Sequence, residues 1–333
     1  MTAPILHGGG ITEAAERFGG APAEWLDLST GINPCPVSLP VIDPSVWHRL
    51  PDRNVEEAAR LAASRYYGTG DAMPLPVPGT QAAIQLLPRL VEAGRRAAVF
   101  APTYGEYARV LSAAGVAVDP VRRADDLAAA HGLAVVVNPN NPTGRLFSPD
   151  EILAMAEAMN AHGGLLVVDE AFGDLEPGAS VARYAATSDN LLVFRSFGKF
   201  FGLAGLRLGF VIARPSVLAA FREWLGPWAV SGPALAVSAK LMEGDTEATA
   251  RGIALRKAGL DTVLRAAGLK IAGGTGLFAL VENERACHLH TALCEARILT
   301  RKFDYDPRWL RIGLTPDENG DRRLAEALQR TGV

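Results

Sequence analysis

The chain has 333 residues, 49% of them hydrophobic and 21% charged, which is enough for two domains with substantial cores. Its net charge of −3 and the lack of a basic tract argue against nucleic acid and anionic membranes as partners. No apolar run reaches membrane-spanning length, and we expect no signal segment at the start.

Three cysteines stand at irregular positions, Cys35, Cys287 and Cys294. An odd number without pairing pattern predicts free thiols in a reducing cytoplasm. His288 and His290 lie between the last two, but the Cys-x-x-Cys spacing typical of zinc sites is missing, so we expect no metal.

The first 40 residues predict an irregular N-terminal arm. His7-Gly-Gly-Gly10 is followed by a short helical pattern and then by Ser29-Thr-Gly-Ile-Asn33-Pro, a turn fixed by proline. The glycines alone would also fit a flexible end. We predict that this arm, residues 1–40, joins a small C-terminal domain of residues 228–333, whereas residues 41–227 form a large domain.

A helix is predicted over residues 54–68, with Asn54 as N-cap and Gly68 as the stop. Gly79-Thr80-Gln81 then precedes another helical pattern. Free backbone N–H groups at a helix start can bind an anion, although a plain helix start is the commoner case.

Short apolar strands and helices alternate through the middle of the chain. We predict strands at 97–100, 116–118, 134–137, 165–168, 191–195 and 208–213, with helices at 104–114 and 149–162 between them. This alternation is typical of an α/β fold with a largely parallel sheet. Ligands bind beyond the carboxyl ends of such strands, where Gly79, Asn141, Asp169 and Ser196 are expected.

The last hundred residues predict a smaller α+β domain. Residues 233–268 have a helical pattern, strands are expected within 270–282 and 310–314, and a helix within 322–331. No G-x-G-x-x-G follows a strand and no P-loop occurs, so dinucleotide and P-loop functions lose their main support.

One lysine stands in unusually apolar company, Lys199 between Gly198 and a Phe-Phe pair. Desolvation disfavours its ammonium form and makes the amine a nucleophile towards an aldehyde. Ser196 and Arg207 nearby suit a phosphate. An aldehyde with a phosphate indicates pyridoxal 5′-phosphate (PLP), although a glycine-rich loop with a surface lysine would also explain the pattern.

Four motifs in one order carry a family resemblance: Asn138-Pro-Asn-Asn141-Pro-Thr-Gly144, Asp169-Glu-Ala-Phe172, Ser196-Phe-Gly-Lys199 and Arg207. Over nearly its whole length the chain resembles the fold-type-I PLP enzymes of the class I/II aminotransferase superfamily. The resemblance implies a large domain with a mostly parallel seven-stranded sheet flanked by helices, and a smaller α+β domain. It also implies a homodimer with active sites at the subunit interface.

The resemblance assigns roles to individual residues. Lys199 would bind PLP covalently, Asp169 would pair with the pyridine nitrogen, and Tyr104 would stack on the ring, so these three are the catalytic candidates. Without the family, Tyr104 could as well be an amphipathic tyrosine at a helix start. Asn141 would bind the ring hydroxyl and the substrate. The phosphate cup would be Gly79, Thr80, Gln81, Ser196 and Arg207.

Two positions depart from the family pattern. Phe172 replaces a tyrosine that often donates a hydrogen bond to the ring oxygen. Leu50 replaces a tyrosine that reaches the neighbouring subunit's cofactor phosphate. Either Tyr66 or Tyr67 takes over that contact, or the cup is completed within one subunit.

Substrate binding is also implied by the resemblance. Arg311, in Trp309-Leu-Arg311-Ile-Gly, matches the arginine that binds the substrate carboxylate with two parallel hydrogen bonds. For a substrate phosphate we expect His7 and Asn33 with the backbone N–H groups of Gly8 and Gly9, because glycines allow close approach.

Two branches of the superfamily are closest. The His7-Gly-Gly opening, the Asn33-Pro turn and Phe172 resemble the threonine-phosphate decarboxylases of cobalamin synthesis. That branch implies a lyase that converts L-threonine O-3-phosphate to (R)-1-amino-2-propanol O-2-phosphate and carbon dioxide. The other branch implies a histidinol-phosphate or related aminotransferase. A non-catalytic binding protein with the same fold is a third possibility, against which the intact Lys199 argues.

Overall fold

The computed structural model describes residues 7–332, which divide into two compact units. The first unit contains Val37–Asn141 and Leu146–Thr246, and the second contains residues 7–36, Pro142–Arg145 and residues 247–332. The strands are β1 Leu26–Asp27, β2 Leu75–Val77, β3 Arg96–Phe100, β4 Val118–Val121, β5 His131–Val137, β6 Leu165–Asp169, β7 Leu191–Ser196, β8 Gly209–Ile212, β9 Lys270–Thr275, β10 Phe278–Glu282, β11 Ile298–Leu299, β12 Arg301–Phe303 and β13 Asp306–Gly313. The α-helices are α1 Ile11–Phe18, α2 Arg53–Tyr67, α3 Thr80–Leu86, α4 Glu106–Ala113, α5 Pro149–Asn160, α6 Ala182–Ala185, α7 Phe197–Phe200, α8 Pro215–Leu225, α9 Gly232–Met242, α10 Thr246–Ala266, α11 Ala286–Glu295 and α12 Glu318–Arg330.

The first unit is built on a seven-stranded sheet with the order β2-β8-β7-β6-β5-β3-β4. Its strands are parallel except β8, which runs antiparallel to both β2 and β7. β5 and β8 are buried at every position, as expected for strands that are covered on both faces. The predicted α/β fold with a mostly parallel seven-stranded sheet is confirmed.

The core of this unit holds the carboxyl ends of the strands in fixed positions. Val135, Val167, Leu192, Phe194 and Val211 are almost completely buried in one apolar cluster. Full burial of such side chains stabilises a fold by roughly 1.5–3 kcal/mol each. The loops that follow β5, β6 and β7 therefore start from a rigid frame.

Helix α2 starts earlier than the sequence predicts. Its N-cap is Asp52, whose carboxylate accepts hydrogen bonds from the backbone N–H groups of Asn54 and Val55. Asn54 is therefore not the cap, because Asp52 lies two residues before it and offers a charged acceptor. Gly68 ends the helix in the left-handed conformation, as predicted.

Helix α9 belongs to the first unit, because it packs along α2. The boundary between the units therefore falls after Thr246, further along the chain than the expected position after residue 227. The pattern at Gly226-Pro227 ends α8 at Leu225, but it does not end the unit.

The second unit contains a four-stranded antiparallel sheet with the order β12-β13-β10-β9, and a two-stranded parallel pair, β1 and β11. The register places Arg311 of β13 opposite Leu280 of β10. Residues 7–36 belong to this unit, and α1 contributes Ala14 and Ala15 to an apolar cluster with Trp25 and Cys294.

Within the second unit, the backbone of the segment after Asn141 packs closely against the backbone of β9, and glycines on both sides allow this approach. Gly144 has φ +72°, and a Cβ atom there would lie 1.8 Å from the carbonyl oxygen of Gly274. The backbone N–H of Gly274 donates to the carbonyl of Thr143 over 3.2 Å. Any side chain at position 144 would push this backbone contact apart.

We therefore expect Gly144→Ala to be strongly destabilising. The left-handed backbone costs alanine roughly 1–2 kcal/mol, and the clash with backbone adds roughly 1–3 kcal/mol. Gly268→Ala is the matched control, since Gly268 also has φ +72° but open space around its Cβ position. Denaturant unfolding of both variants tests this, and equal losses of stability would contradict it.

Candidate active site

Asp169 ends β6 as a buried carboxylate that is 4% exposed. Its Oδ1 accepts a hydrogen bond from the backbone N–H of Ala171 over 2.9 Å. Its Oδ2 accepts one from the hydroxyl of Tyr107 over 2.8 Å. Both oxygens are therefore oriented, one from the local chain and the other from α4, and the carboxylate suits a cationic partner in a dry site.

Tyr107 was not among the residues predicted from the sequence. The signal was present in the spacing, because tyrosines at 104 and 107 lie three residues apart on one side of a helix start. Their rings meet edge to face with centroids 6.3 Å apart. The residue expected to stack on the cofactor therefore contacts the residue that binds Asp169.

Lys199 lies in α7, a single helical turn directly after β7, where the sequence predicted a loop. Its Nζ lies 4.4 Å from the centroid of the Phe172 ring, which is buried. A Cβ atom at Gly198 would lie 2.6 Å from the Cα of Ala204, so the turn is pressed against the segment that follows it. These contacts hold the lysine beside an aromatic face.

The predicted phosphate-binding residues lie around Gly79, which has φ +76°. A Cβ atom at Gly79 would lie 2.8 Å from Nη2 of Arg207, so only glycine lets the guanidinium approach this backbone. A Cβ atom at Gly209, at the start of β8, would lie 2.9 Å from the backbone nitrogen of Thr80. Ser196 ends the neighbouring strand β7. A hydroxyl, a guanidinium and uncovered backbone together fit a phosphate group.

Gln81 links Tyr104 to Glu106, a buried carboxylate that was also not predicted from the sequence. Glu106, only 2% exposed, accepts a hydrogen bond from Nε2 of Gln81 over 2.5 Å and two from Arg109. The Oε1 of Gln81 accepts a hydrogen bond from the Tyr104 hydroxyl over 3.2 Å. This chain of hydrogen bonds holds the hydroxyl end of Tyr104 in place.

The loop before Asn141 is held by two buried asparagine side chains. Asn138 exchanges hydrogen bonds with the backbone of Phe147, and Asn140 binds the Thr103 hydroxyl and the Pro102 carbonyl. Asn141 follows directly and is half-buried. The motif Asn138-Pro-Asn-Asn141 therefore uses its first two amides for structure.

A buried ion-pair cluster joins the loop that follows β6 to Arg195 in strand β7. Arg195 donates to Glu170 over 2.7 Å and contacts Asp174 at 3.2 Å, and its guanidinium lies over the Tyr67 ring. Burial and the nearby Asp174 charge raise the pKa of Tyr66 and of Tyr67 far above 10. Since Tyr67 is only 7% exposed, its side chain packs within the first unit and is not available to a neighbouring molecule.

In the second unit, Arg311 is buried and its Nη2 donates to the carbonyl of Ser29 over 2.5 Å. The same serine binds the N-terminal arm, because its Oγ accepts from the Gly9 N–H over 2.8 Å. A Cβ atom at Gly8 would lie 2.5 Å from the Ser29 carbonyl oxygen. Arg311, Gly8 and Gly9 therefore gather around Ser29, which sequence reasoning did not single out.

Asn33 and His7 differ in their surroundings. Asn33 is 4% exposed, and its Oδ1 accepts a hydrogen bond from the Cys35 N–H over 3.0 Å, which closes the proline turn. His7 is exposed. Because the Gly9 N–H is used by Ser29, the Gly8 N–H is the one of the two glycine donors better suited to a phosphate.

Cys35, Cys287 and Cys294 are free thiols. Burial raises the pKa of the Cys294 thiol to about 11. The Cys294 sulfur contacts His290, and burial lowers the pKa of that histidine to about 4. Among residues 7–332 no cluster of three potential metal ligands occurs. Within the same range no helix is both long and apolar enough to cross a membrane.

Comparison with known proteins identifies the family. The model of the family described as aminotransferase class I and II matches residues 26–328. The chain is 67% identical to a threonine-phosphate decarboxylase from Sinorhizobium sp over 330 residues, which cover 99% of each protein. It is 43% identical to one from Pseudomonas aeruginosa over 97% of each. A histidinol-phosphate aminotransferase from Shewanella amazonensis is 31% identical over 96% of this chain and 91% of its own.

A solved structure supports the fold assignment. The histidinol-phosphate aminotransferase from Sinorhizobium meliloti, in complex with pyridoxal-5′-phosphate, matches with a TM-score of 0.83 over 99% of this chain and 95% of its own, at 21% identity. The protein therefore belongs to the class I and II aminotransferase family and has its fold. It is a PLP-dependent enzyme, and the buried carboxylate, the lysine and the glycine-lined cradle of the first unit fit that cofactor.

Proposed function

We propose that this protein is a threonine-phosphate decarboxylase, which converts L-threonine O-3-phosphate to (R)-1-amino-2-propanol O-2-phosphate and carbon dioxide. The observation that carries the proposal is the 67% identity to a protein of that name over 99% of both chains. The histidinol-phosphate aminotransferases are more distant, at 30–33% identity. Identity at this level over the full length favours a shared substrate as well as a shared fold.

In this proposal the first unit provides the cofactor residues. Lys199 binds PLP, Asp169 holds its pyridine nitrogen, Tyr104 covers its ring, and Asn141 binds the ring hydroxyl. The phosphate is bound by residues of the cradle, Gly79, Thr80, Gln81, Ser196 and Arg207. When bound, PLP supplies an electron sink for the electron pair that remains on Cα after the bond to the carboxylate breaks. Lys199 then returns a proton to Cα, for which its amine must be free and desolvated.

The substrate residues are proposed on the second unit. Arg311 binds the carboxylate, and its orientation is supported by the Ser29 carbonyl and the Phe278 ring, whose centroid lies 5.1 Å from the guanidinium carbon. His7, Asn33 and the backbone N–H of Gly8 bind the substrate phosphate, whereas the Gly9 N–H stays bound to the Ser29 hydroxyl. Where these two anions are held decides which bond at Cα is aligned for cleavage, and therefore whether the carboxylate or the hydrogen leaves.

We further propose a cytoplasmic homodimer that acts in cobalamin synthesis. Free thiols are consistent with a reducing compartment. Apolar side chains that a dimer interface would cover are exposed on the first unit: Leu39, Val41, Trp47, Leu50 and Trp228. Sedimentation of the pure protein at several concentrations tests the dimer, and a monomer at micromolar concentration would contradict it.

Arg311→Lys should raise KM for threonine phosphate about 10- to 100-fold, because a lysine keeps the charge but loses the paired hydrogen bonds to the carboxylate. The PLP content should stay unchanged. Arg308→Lys is the matched control, since Arg308 lies on the same strand, is partly exposed and pairs with Asp306. An unaltered KM in Arg311→Lys would remove Arg311 from the substrate site.

The proposed activity is tested by incubating the holoenzyme with L-threonine O-3-phosphate and measuring carbon dioxide and the amino alcohol phosphate. A parallel reaction contains L-histidinol phosphate and 2-oxoglutarate. We expect carbon dioxide from the first reaction without any keto acid. Efficient amino transfer in the second reaction, with no carbon dioxide in the first, would assign the protein to the aminotransferases.

A further inference from the structure

The hydrogen bond between Tyr107 and Asp169 joins two parts of the chain that are 62 positions apart. Asp169 ends a central strand of the sheet, whereas Tyr107 lies in the first turn of α4. The carboxylate receives only one further hydrogen bond among those found in the described part of the chain, from the Ala171 N–H. The Tyr107 hydroxyl is therefore its side-chain donor, and lone pairs remain on the carboxylate for a cofactor N–H group.

Tyr107 is held in place by packing. Its side chain is completely buried in the core cluster of the first unit, together with Val110 and Leu111 of the same helix. The Tyr104 ring meets it edge to face. Its hydroxyl therefore has little freedom to turn away from Asp169, and a rotation would leave it unbonded in the core.

The direction of this hydrogen bond is settled by the ionisation of the tyrosine. Burial, with the neighbouring Asp169 charge, raises the pKa of Tyr107 well above 10. Tyr107 is neutral at physiological pH, so its O–H donates and the carboxylate accepts.

We propose that Tyr107 is a positioning residue, which holds the Asp169 carboxylate in the orientation that keeps the PLP pyridine nitrogen protonated. This inference rests on the proposed role of Asp169. Because Tyr104, proposed to cover the ring, belongs to the same short segment, the start of α4 would fix both the face of the cofactor and its nitrogen partner. The Tyr107 hydroxyl would then help to set how strongly the protonated pyridine ring withdraws electrons from the substrate.

The test replaces Tyr107 by phenylalanine and reads the protonation of the cofactor directly. Apoenzyme is reconstituted with PLP that carries ¹⁵N in the pyridine ring, and the nitrogen signal is recorded by NMR at neutral pH. We expect a pyridinium signal for the unmodified protein and a shift towards neutral pyridine for Tyr107→Phe. Because Asp169 then lacks the donor that orients it, its own charge-assisted hydrogen bond to the pyridinium weakens, and the dissociation constant of PLP should rise about 10- to 100-fold.

Tyr67→Phe is the matched control. Tyr67 is also a buried tyrosine of the first unit, but it packs against the Arg195 guanidinium, and no hydrogen bond to Asp169 is found for it in the described part of the chain. Its removal should change neither the nitrogen signal nor PLP binding. A shift in Tyr67→Phe as large as that in Tyr107→Phe would overturn the proposal, because it would show a general effect of altering the core.

Asp169→Asn separates this inference from the proposed role of Asp169. A pyridinium signal that survives in Asp169→Asn would overturn that role and the inference with it. A signal that is lost in Asp169→Asn but unchanged in Tyr107→Phe would overturn the inference alone.

If Tyr107→Phe does not fold, 3-fluorotyrosine incorporated at position 107 keeps the ring and gives a stronger donor. It should lower the dissociation constant of PLP, and an unchanged or higher constant would overturn the proposal.

Discussion

Lys199→Ala is expected to lose essentially all decarboxylation. The alanine variant cannot bind PLP covalently, and it lacks the amine that returns a proton to Cα. A positioned proton-transfer group alone contributes about 10²–10⁴-fold to a rate, and the loss of the nucleophile adds to this. The measurement is single-turnover conversion of threonine phosphate by the variant with saturating PLP.

Lys270→Ala is the control, since Lys270 is an exposed lysine of the second unit that pairs with Glu282. Its activity should be unchanged. Borohydride reduction of the unmodified holoenzyme, followed by peptide mapping, should place the pyridoxyl group on Lys199. A label on Lys240, Lys257, Lys270 or Lys302, or a Lys199→Ala variant that turns over normally, would show that another lysine binds the cofactor.

Asp169→Ala is the second change with a large expected effect. If Asp169 pairs with the pyridine nitrogen in a dry site, alanine leaves a buried charge without its partner, which costs roughly 3–5 kcal/mol in comparable cases. This corresponds to roughly a 10²–10⁴-fold loss when it falls on the transition state. The carboxylate is 4% exposed, so water offers little compensation.

The loss should appear in kcat and in weak cofactor retention together. Asp174→Asn is a useful comparison, because Asp174 is another buried carboxylate a few residues on, but it contacts Arg195. We expect that variant to lose stability more than it loses turnover. Near-normal kcat in folded Asp169→Ala would contradict the role proposed for Asp169.

The fold of the first unit could be predicted because its strands are continuous apolar runs. β5, β6 and β7 were expected at nearly their observed positions, since strands buried on both faces need Val, Leu and Phe without interruption. The short turn α7 was missed, because Ser196 and Gly198 are typical of loops. It forms because tertiary packing against Ala204 overrides this local preference.

Contacts between distant residues could not be predicted. The hydrogen bond from Tyr107 to Asp169 joins positions that are 62 residues apart. The hydrogen bond from Arg311 to Ser29 joins positions that are 282 residues apart. Nothing in the local pattern of Ser29 or Glu106 distinguishes them from ordinary turn and helix residues. The chemical motifs around Lys199 and Asp169 could be recognised because their residue types are set by the cofactor, whereas their supporting residues depend on the packing.

The most direct test of the proposed decarboxylation is the fate of the hydrogen and the carboxylate at Cα when the holoenzyme acts on L-threonine O-3-phosphate in D₂O. We expect the substrate to keep its own Cα hydrogen, to lose its carboxylate as carbon dioxide and to gain one deuteron at that carbon, which NMR of the amino alcohol phosphate would show. Loss of the original hydrogen with retention of the carboxylate would mean that the C–H bond is broken instead, and would contradict the assignment as a decarboxylase.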